Sequence, residues 1–267
     1  MPVGGLRSFT AVSATADNMN YHWNWSIFFE LSPDGVHTYL QTLFIGTWWT
    51  LATALSAWVI ALVLGSLVGV IRTLPHAGLV RLSNAYVELF RNIPLLVQMF
   101  LWYFVLPELV PKPIGMWLKQ MPAASFFTAM VCLGLYTSAR VAEQVKAGIQ
   151  SLPSGQRMAG LAVGLTLPQT YRYVLLPMAY RIILPPLTSE FLNIIKNSAV
   201  GLTIGLVELT AAARSMQEFS FQVFEAFTGA MVIYIAINVV IVGSMRYLER
   251  WLAVPGYVGL GQPAAMH

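Results

Sequence analysis

Charge is the scarcest commodity in this sequence. Its 267 residues include 15 Lys and Arg and 11 Asp and Glu, or 10% of the chain, where a soluble domain carries about 25%. A water-exposed surface of that size needs more charge, so an ordinary soluble enzyme is excluded. Disorder is excluded as well, because 57% of the residues are hydrophobic and mean hydropathy is +0.66. Cysteine is nearly absent: Cys132 alone rules out a disulfide framework and an all-cysteine metal site. His22, His37, His76 and His267 are scattered and never reach metal-ligand spacing. No GxxxxGK[ST] loop occurs, so the chain cannot cradle ATP by that route. There is no plausible nucleophile–base pair, no convincing internal repeat, and no signal-peptide-like apolar core after Arg7. Net charge is +4, but the cations lie thinly between apolar blocks instead of clustering among aromatics, which argues against nucleic acid. Most of the surface must face lipid.

What is present is a series of charge-free runs. A helix needs roughly 20 residues to cross about 30 Å of hydrocarbon. Thr42–Ile71 reads as one long span, in a stretch from Gly35 to Ile71 that has no charge. Asn92–Pro107 reaches spanning length with the turn before it, and Gln120–Ala139 leads into a helical continuation, ARVAEQVKAGI. Ala226–Met245 is another span, ended by Arg246 and Arg250. Leu176–Ala213 is interrupted by Pro185, Pro186, Glu190 and Lys196, which suits a helix or broken helix buried in a bundle. The expected fold is therefore all-α and polytopic, with five spans over residues 42–252. An interfacial N-terminal segment (1–41) bears Tyr21, Trp23, Trp25, Phe28 and Phe29, and a tail (253–267) closes the chain.

Loop cations orient the bundle. One side collects eight (Arg72, Arg81, Lys146, Arg157, Arg172, Arg181, Arg246, Arg250) and the other four (Arg7, Lys112, Lys119, Arg214). The excess marks the cytoplasmic side, placing the N-terminus outside and the C-terminus inside. The longest segment on that side, 148–177, carries a turn at Pro153–Gly155, a small-residue helix over Met158–Leu165, and a second short helix ending at Leu176–Pro177. Composition fits either docking to a soluble partner or an ordinary interfacial loop.

That loop resembles the EAA loop of ABC importer permeases at Ala159, Gly164 and Leu176–Pro177, with Met158 in place of the Glu and Gly160 in place of the second Ala. YVELFRNIPLLVQMFLWY (86–103) and SEFLNIIKNSAVGLTIGLVEL (189–209) resemble polar amino-acid permeases. HWNWSIF, PELVPKPIGMW, CLGLYTSARVAEQV and GLTLPQTYRYVLLP are similar to one branch, the J-type permease subunits of glutamate/aspartate importers. The resemblance covers residues 21 to 255 and implies a type I importer permease fold in a bacterial inner membrane. It implies a second permease chain of a different K type, two ATP-binding subunits that hold ATP and Mg, and a periplasmic amino-acid-binding protein. This chain would itself need no cofactor or metal and catalyse nothing. Gln156, Arg157, Met158, Ala159, Gly160, Ala162, Gly164 and Leu165 are the candidate ATPase-coupling residues.

Cations within spans are costly. Arg140, Lys196 and Arg91 need either internal partners (Arg140 with Glu143 or Glu190, Arg91 with Glu88), snorkelling, or a substrate pathway. In a pathway Arg140 and Lys196 would attract an acidic amino acid, with Asn193, Asn197, Ser198 and Thr203 presenting polar groups. Other readings are the same architecture importing glutamine or another polar amino acid, and a secondary transporter, which usually needs two repeated halves and more spans. A membrane-embedded enzyme lacks the clustered His, Asp or Ser it would need. Gly65–Gly69 and Gly201–Gly205 have GxxxG spacing, and packing within the bundle is their expected role. Glu143 and Lys146 are expected as a local helix pair or a brace for the loop.

Overall fold

The computed structural model describes residues 21–252; Arg7, His267, the first twenty residues of the N-terminal segment and the tail 253–267 lie outside them. The described chain is helical, apart from one isolated bridge between Leu31 and Thr38. A short 3-10 turn, Trp25–Phe29, leads to a tight loop built on Asp34. The Asp34 carboxylate accepts from the backbone N–H groups of His37 and Val36, which hold it well below the usual carboxylate range. Thr38 and Gln41 then form a reciprocal capping box that starts α1, Tyr39–Ile71. There follow α2 (Ala77–Asn92), α3 (Leu95–Leu109), α4 (Lys112–Gln120), α5 (Ala124–Gln150), α6 (Ser154–Ala162), α7 (Leu167–Ile204), α8 (Leu209–Ser220) and α9 (Val223–Leu252).

Three helices, α1, α5 and α9, are each long and apolar enough to cross a membrane. Two bent pairs, α2 with α3 at 101° and α7 with α8 at 50°, bring the total to as many as five. The expected five is the upper end of that range, reached when each bent pair is counted as one span. Alone, α3 would rise only roughly 22 Å at 1.5 Å per residue, short of the hydrocarbon thickness.

The centre of the bundle is the packing of α1 on α5. Gly65 and Gly69 of α1 meet α5 so closely that an added Cβ at Gly65 would stand 2.6 Å from the Ser138 carbonyl oxygen and 2.6 Å from Val141 Cβ. At Gly69 it would stand 2.7 Å from Val145 Cβ. Gly134 of α5 returns the arrangement against Ile60 and Ala57 of α1. Ala54, Ala57 and Ala61 are fully buried along the same side of α1. The GxxxG spacing at 65–69 is therefore a helix–helix seam within the chain, as expected. The spacing at 201–205 has a different role. Ser198–Ile204 is a 3-10 turn that closes on Gly205 at φ +82°, where the Leu206 N–H donates to the Gly201 carbonyl.

Pro107 and Pro177 end segments in the sequence reading and Pro94 lies inside one, and the helix responds in two different ways. At Pro94 the helix does break, because the ring disfavours helical backbone at Ile93, which is extended at φ −94°, ψ 128°. The buried Gln98 amide repairs the gap, donating to the carbonyls of Phe90 (2.9 Å) and Ile93 (2.8 Å). At Pro107 and Pro177 the helix continues. Each is preceded by a π-turn, Leu101–Val105 and Tyr171–Leu175, in which the N–H of Leu106 or Leu176 reaches back five residues. The wider turn makes room for the proline ring, which would otherwise clash with the carbonyl four residues back. The expected short helix ending at Pro177 is instead the first turns of α7. The expected loop 148–177 contracts accordingly, since Gly148–Gln150 belong to α5. Pro185 and Pro186 do not break α7 either; the break comes later, at Gly205–Glu208.

Overpacking a seam this close costs about 1–3 kcal/mol. Gly65→Val is expected to lower the thermal unfolding midpoint of the purified protein, or to abolish its recovery. Gly243→Ala, in open space on α9, is expected to leave both unchanged.

Candidate functional site

At the end of the bundle where α1 stops, one carboxylate organises three helices. Glu143 of α5 accepts, through the same oxygen, from Arg72 at the end of α1 (3.0 Å) and from Arg91 in the last turn of α2 (3.0 Å). Arg72 Nε also donates to Asn84 of α2 at 2.7 Å. The expected pair of Arg91 with Glu88 is not formed, and Glu143 takes that place from 52 residues away. Among the described residues no ion pair joins Glu143 to Lys146.

The loop below this clamp is built around α6. Its helix starts at Ser154, four residues before the expected Met158, and ends at Ala162. Gly164 terminates it at φ +89°, with the Leu165 N–H donating to the Gly160 carbonyl and the Gly164 N–H to Leu161. Only glycine takes this conformation without strain, which accounts for the glycine at this point of the motif. Gly160 is buried against Thr170, where an added Cβ would lie 2.8 Å from its methyl carbon. That contact docks α6 on the start of α7. The other side of α6 is open: Arg157, Met158, Ala159 and Ala162 are exposed, Gln156 and Leu165 partly so. Met158 (62%), Leu161 (44%) and Val163 (77%) form an exposed apolar face. Leu161 and Val163 were not among the expected coupling residues; their exposure depends on where α6 begins and ends.

The cations expected inside the bundle divide. Arg91 belongs to the Glu143 clamp. Lys196 is exposed on α7 and, among the described residues, in no ion pair. Arg140 is partly buried on α5, on the side turned away from the α1 seam. Its Nη2 donates to the Tyr136 hydroxyl at 2.7 Å, and its guanidinium carbon lies 5.0 Å from the centroid of that ring. Its Nε has no partner, and neither Glu143 nor Glu190 pairs with it, so both expected internal pairings fail. Glu190 of α7 likewise keeps one buried oxygen without a partner. Asn193 and Asn197 follow Glu190 at i+3 and i+7, making one polar stripe along α7. Ser198 is buried and its hydroxyl is spent on the Ile195 carbonyl at 2.7 Å; Thr203 likewise bonds the Val200 carbonyl. These two hydroxyls donate to the backbone, which leaves their oxygens able to accept. Among the described residues no group of His, Cys, Asp or Glu could hold a metal ion.

The family of binding-protein-dependent transport system inner membrane components matches residues 61–254. The glutamate/aspartate import permease protein GltJ of Escherichia coli K12 is 51% identical over 244 residues, 90% of this chain and 99% of that one. The probable glutamine ABC transporter permease protein GlnM of Bacillus subtilis is 36% identical over 78% of this chain and 91% of its own. Among solved structures, an amino acid ABC transporter crystallised with histidines superposes with TM-score 0.69 at 30% identity, covering 80% of this chain and 95% of that one. The MetNI methionine ABC transporter, inward facing, gives TM-score 0.69 at 23% identity over 84% of this chain and 100% of its own, a likeness of fold.

Neutralising the shared acceptor of the clamp leaves two guanidiniums without a counter-charge, at a cost on the order of 1–3 kcal/mol. Glu143→Gln is therefore expected to lower the unfolding midpoint of the purified protein. Glu88→Gln, which breaks no ion pair among the described residues, is expected to leave it unchanged.

Proposed function

The chain belongs to the binding-protein-dependent transport system inner membrane components and is a permease subunit of an ABC importer; from that premise we propose that its cargo is glutamate and aspartate. The observation that carries the cargo is the 51% identity with a glutamate/aspartate permease over nearly the full length of both chains. A glutamine cargo has the support of relatives named for glutamine, at 36% and 31% identity. The acidic reading is favoured by the higher identity and by Arg140, a guanidinium with no carboxylate of its own.

The chain forms half of a translocation pathway, the other half coming from a second permease of K type. A binding protein on the outer face delivers the amino acid. Of the two ATP-binding subunits, which hold ATP and Mg, one docks on the exposed face of α6 through Met158, Leu161 and Val163 with Arg157 beside them. Burial of such apolar side chains stabilises docking by about 25 cal/mol per Å², and no glutamate at position 158 is needed for it. The loop end faces the cytoplasm, with the N-terminus outside and the C-terminus inside, in line with the excess of Arg and Lys on that side. Closure of the ATPases on ATP moves α6, and α7 carries the motion into the membrane because the two are packed at Gly160 and Thr170.

Within the pathway Arg140 receives a cargo carboxylate, for which a planar guanidinium is suited. The Glu190–Asn193–Asn197 stripe offers acceptors to the cargo ammonium, and Lys196 adds positive potential. Arg91, engaged in the clamp, and Ser198, buried, have no part in it.

Co-expression with its partners is expected to yield a complex containing a second permease and an ATPase; a secondary transporter would purify alone. A charge-assisted hydrogen bond contributes about 1.5–3 kcal/mol. Arg140→Ala is therefore expected to reduce uptake of labelled glutamate by about tenfold or more, and Arg140→Lys by less. Normal uptake with an unchanged substrate profile in Arg140→Ala would sink the pathway role.

A further inference from the structure

Beside α6 lies a cleft of about 680 Å³, between that helix, the end of α1 and the start of α2, and Arg157, Met158 and Leu161 of the docking face form its outer rim. Its wall carries Arg72, Arg157, Gln150, Ser154, Thr73 and Tyr171, and no Asp or Glu; the Thr73 and Tyr171 hydroxyls are engaged with backbone carbonyls and with each other. Arg72 is the unusual member. Its side chain is only 7% exposed, yet one of its three nitrogens, Nη1, has no partner among the described residues, while Nε is held by Asn84 and Nη2 by Glu143. Because Glu143 serves Arg91 through the same oxygen, one carboxylate answers two guanidiniums and the cluster retains positive charge. A second feature points to the same ligand chemistry. The nine-residue helix α6 begins on this cleft at Ser154, and its N-cap is Pro153, which supplies no side-chain acceptor to the free N–H groups. Uncapped N–H groups and the positive end of the helix dipole favour an anion.

We propose that this cleft is a binding site for a phosphate-bearing anion, held between the Arg72 guanidinium, the N-terminus of α6 and Arg157. The site is amphiphilic, since Leu74, Val80 and Leu161 complete the wall beside the cations. A phospholipid headgroup with its glycerol backbone, and free inorganic phosphate, share the chemistry required. Either would neutralise the excess charge and brace α6 against the ends of α1 and α2.

The test uses the complete transporter, purified with its partner subunits and reconstituted in nanodiscs of phosphatidylcholine with added phosphatidylglycerol. Native mass spectrometry counts the phosphatidylglycerol retained by each complex, with and without inorganic phosphate. Ser154→Asp places a fixed negative charge at the start of α6, and Arg157→Gln removes an exposed cation, so neither disturbs the Glu143 clamp. The wild type is expected to retain the anionic lipid or to bind phosphate, and Ser154→Asp to weaken that about tenfold, with Arg157→Gln between the two. Lipid that phosphate does not displace identifies the headgroup as the source, and lipid that it displaces identifies the free anion. Equal retention by wild type and both variants overturns the site. So does anion binding that appears only after the ATPase is stripped away, which would mean that an acidic side chain of the ATPase is the occupant. Glutamate uptake does not enter the readout, so an error in the cargo and an error in this site are separable.

Discussion

In a bilayer every backbone N–H and carbonyl must find a partner inside the protein, and the shape of this chain follows from how it meets that demand. Unbroken helices meet it without help, as α1 and α5 do. Wherever a span is interrupted, a specific side chain stands in. Gln98 supplies donors at the α2–α3 corner. At the α7–α8 break the Leu209 N–H donates to the Thr50 hydroxyl at 3.1 Å, and the Glu208 carboxylate accepts from the N–H groups of Thr210 and Ala211. Glu208 is in turn held by the Tyr234 hydroxyl of α9, so the break is sewn to α1 on one side and to α9 on the other. Gly46 of α1 permits this, since an added Cβ there would lie 2.9 Å from the Glu208 carbonyl oxygen.

The seam and the clamp then divide the labour. Gly65, Gly69 and Gly134 bring α1 and α5 into backbone contact, leaving little room for either helix to slide or roll on the other. Glu143 fixes α2 to the end of that pair. What remains less constrained is α6, joined at Gly160–Thr170 and otherwise open. A rigid pair of helices beside a small, exposed helix is a suitable arrangement for receiving a push from outside the membrane.

Much of this was legible in the sequence, for physical reasons. Charge-free runs locate spans because lipid tolerates little else, and the glycine spacing at 65–69 marks a seam because nothing larger fits, while the same spacing at 201–205 closes a turn. The existence of a helix in the loop, and its glycine stop, could also be read. Other features depend on distance in space. Nothing local says that Arg91 will choose Glu143 over Glu88, or that Arg140 will lack a carboxylate. Proline was the least reliable sign. Pro94 bends its span, whereas Pro107, Pro177, Pro185 and Pro186 leave theirs running, and the difference lies in turn geometry and in the neighbours that take up orphaned carbonyls. The exposed apolar face of α6 is likewise set by where the helix begins and ends, and the sequence reading starts it four residues late, so that the exposure of Leu161 and Val163 shows only in the structure.

The π-turns at Leu101–Val105 and Tyr171–Leu175 change the phase of the helices that contain them. One additional residue in a turn rotates everything downstream by about 100° relative to an uninterrupted α-helix. A helical wheel drawn continuously from Leu167 to Asn197 would thus assign the residues beyond Pro177 to the wrong faces. The same offset governs recombination between relatives. A chimera that joins α6 from one permease to the part of α7 beyond Pro177 from another keeps the faces of α7 in phase only if both parents carry the bulge or both lack it.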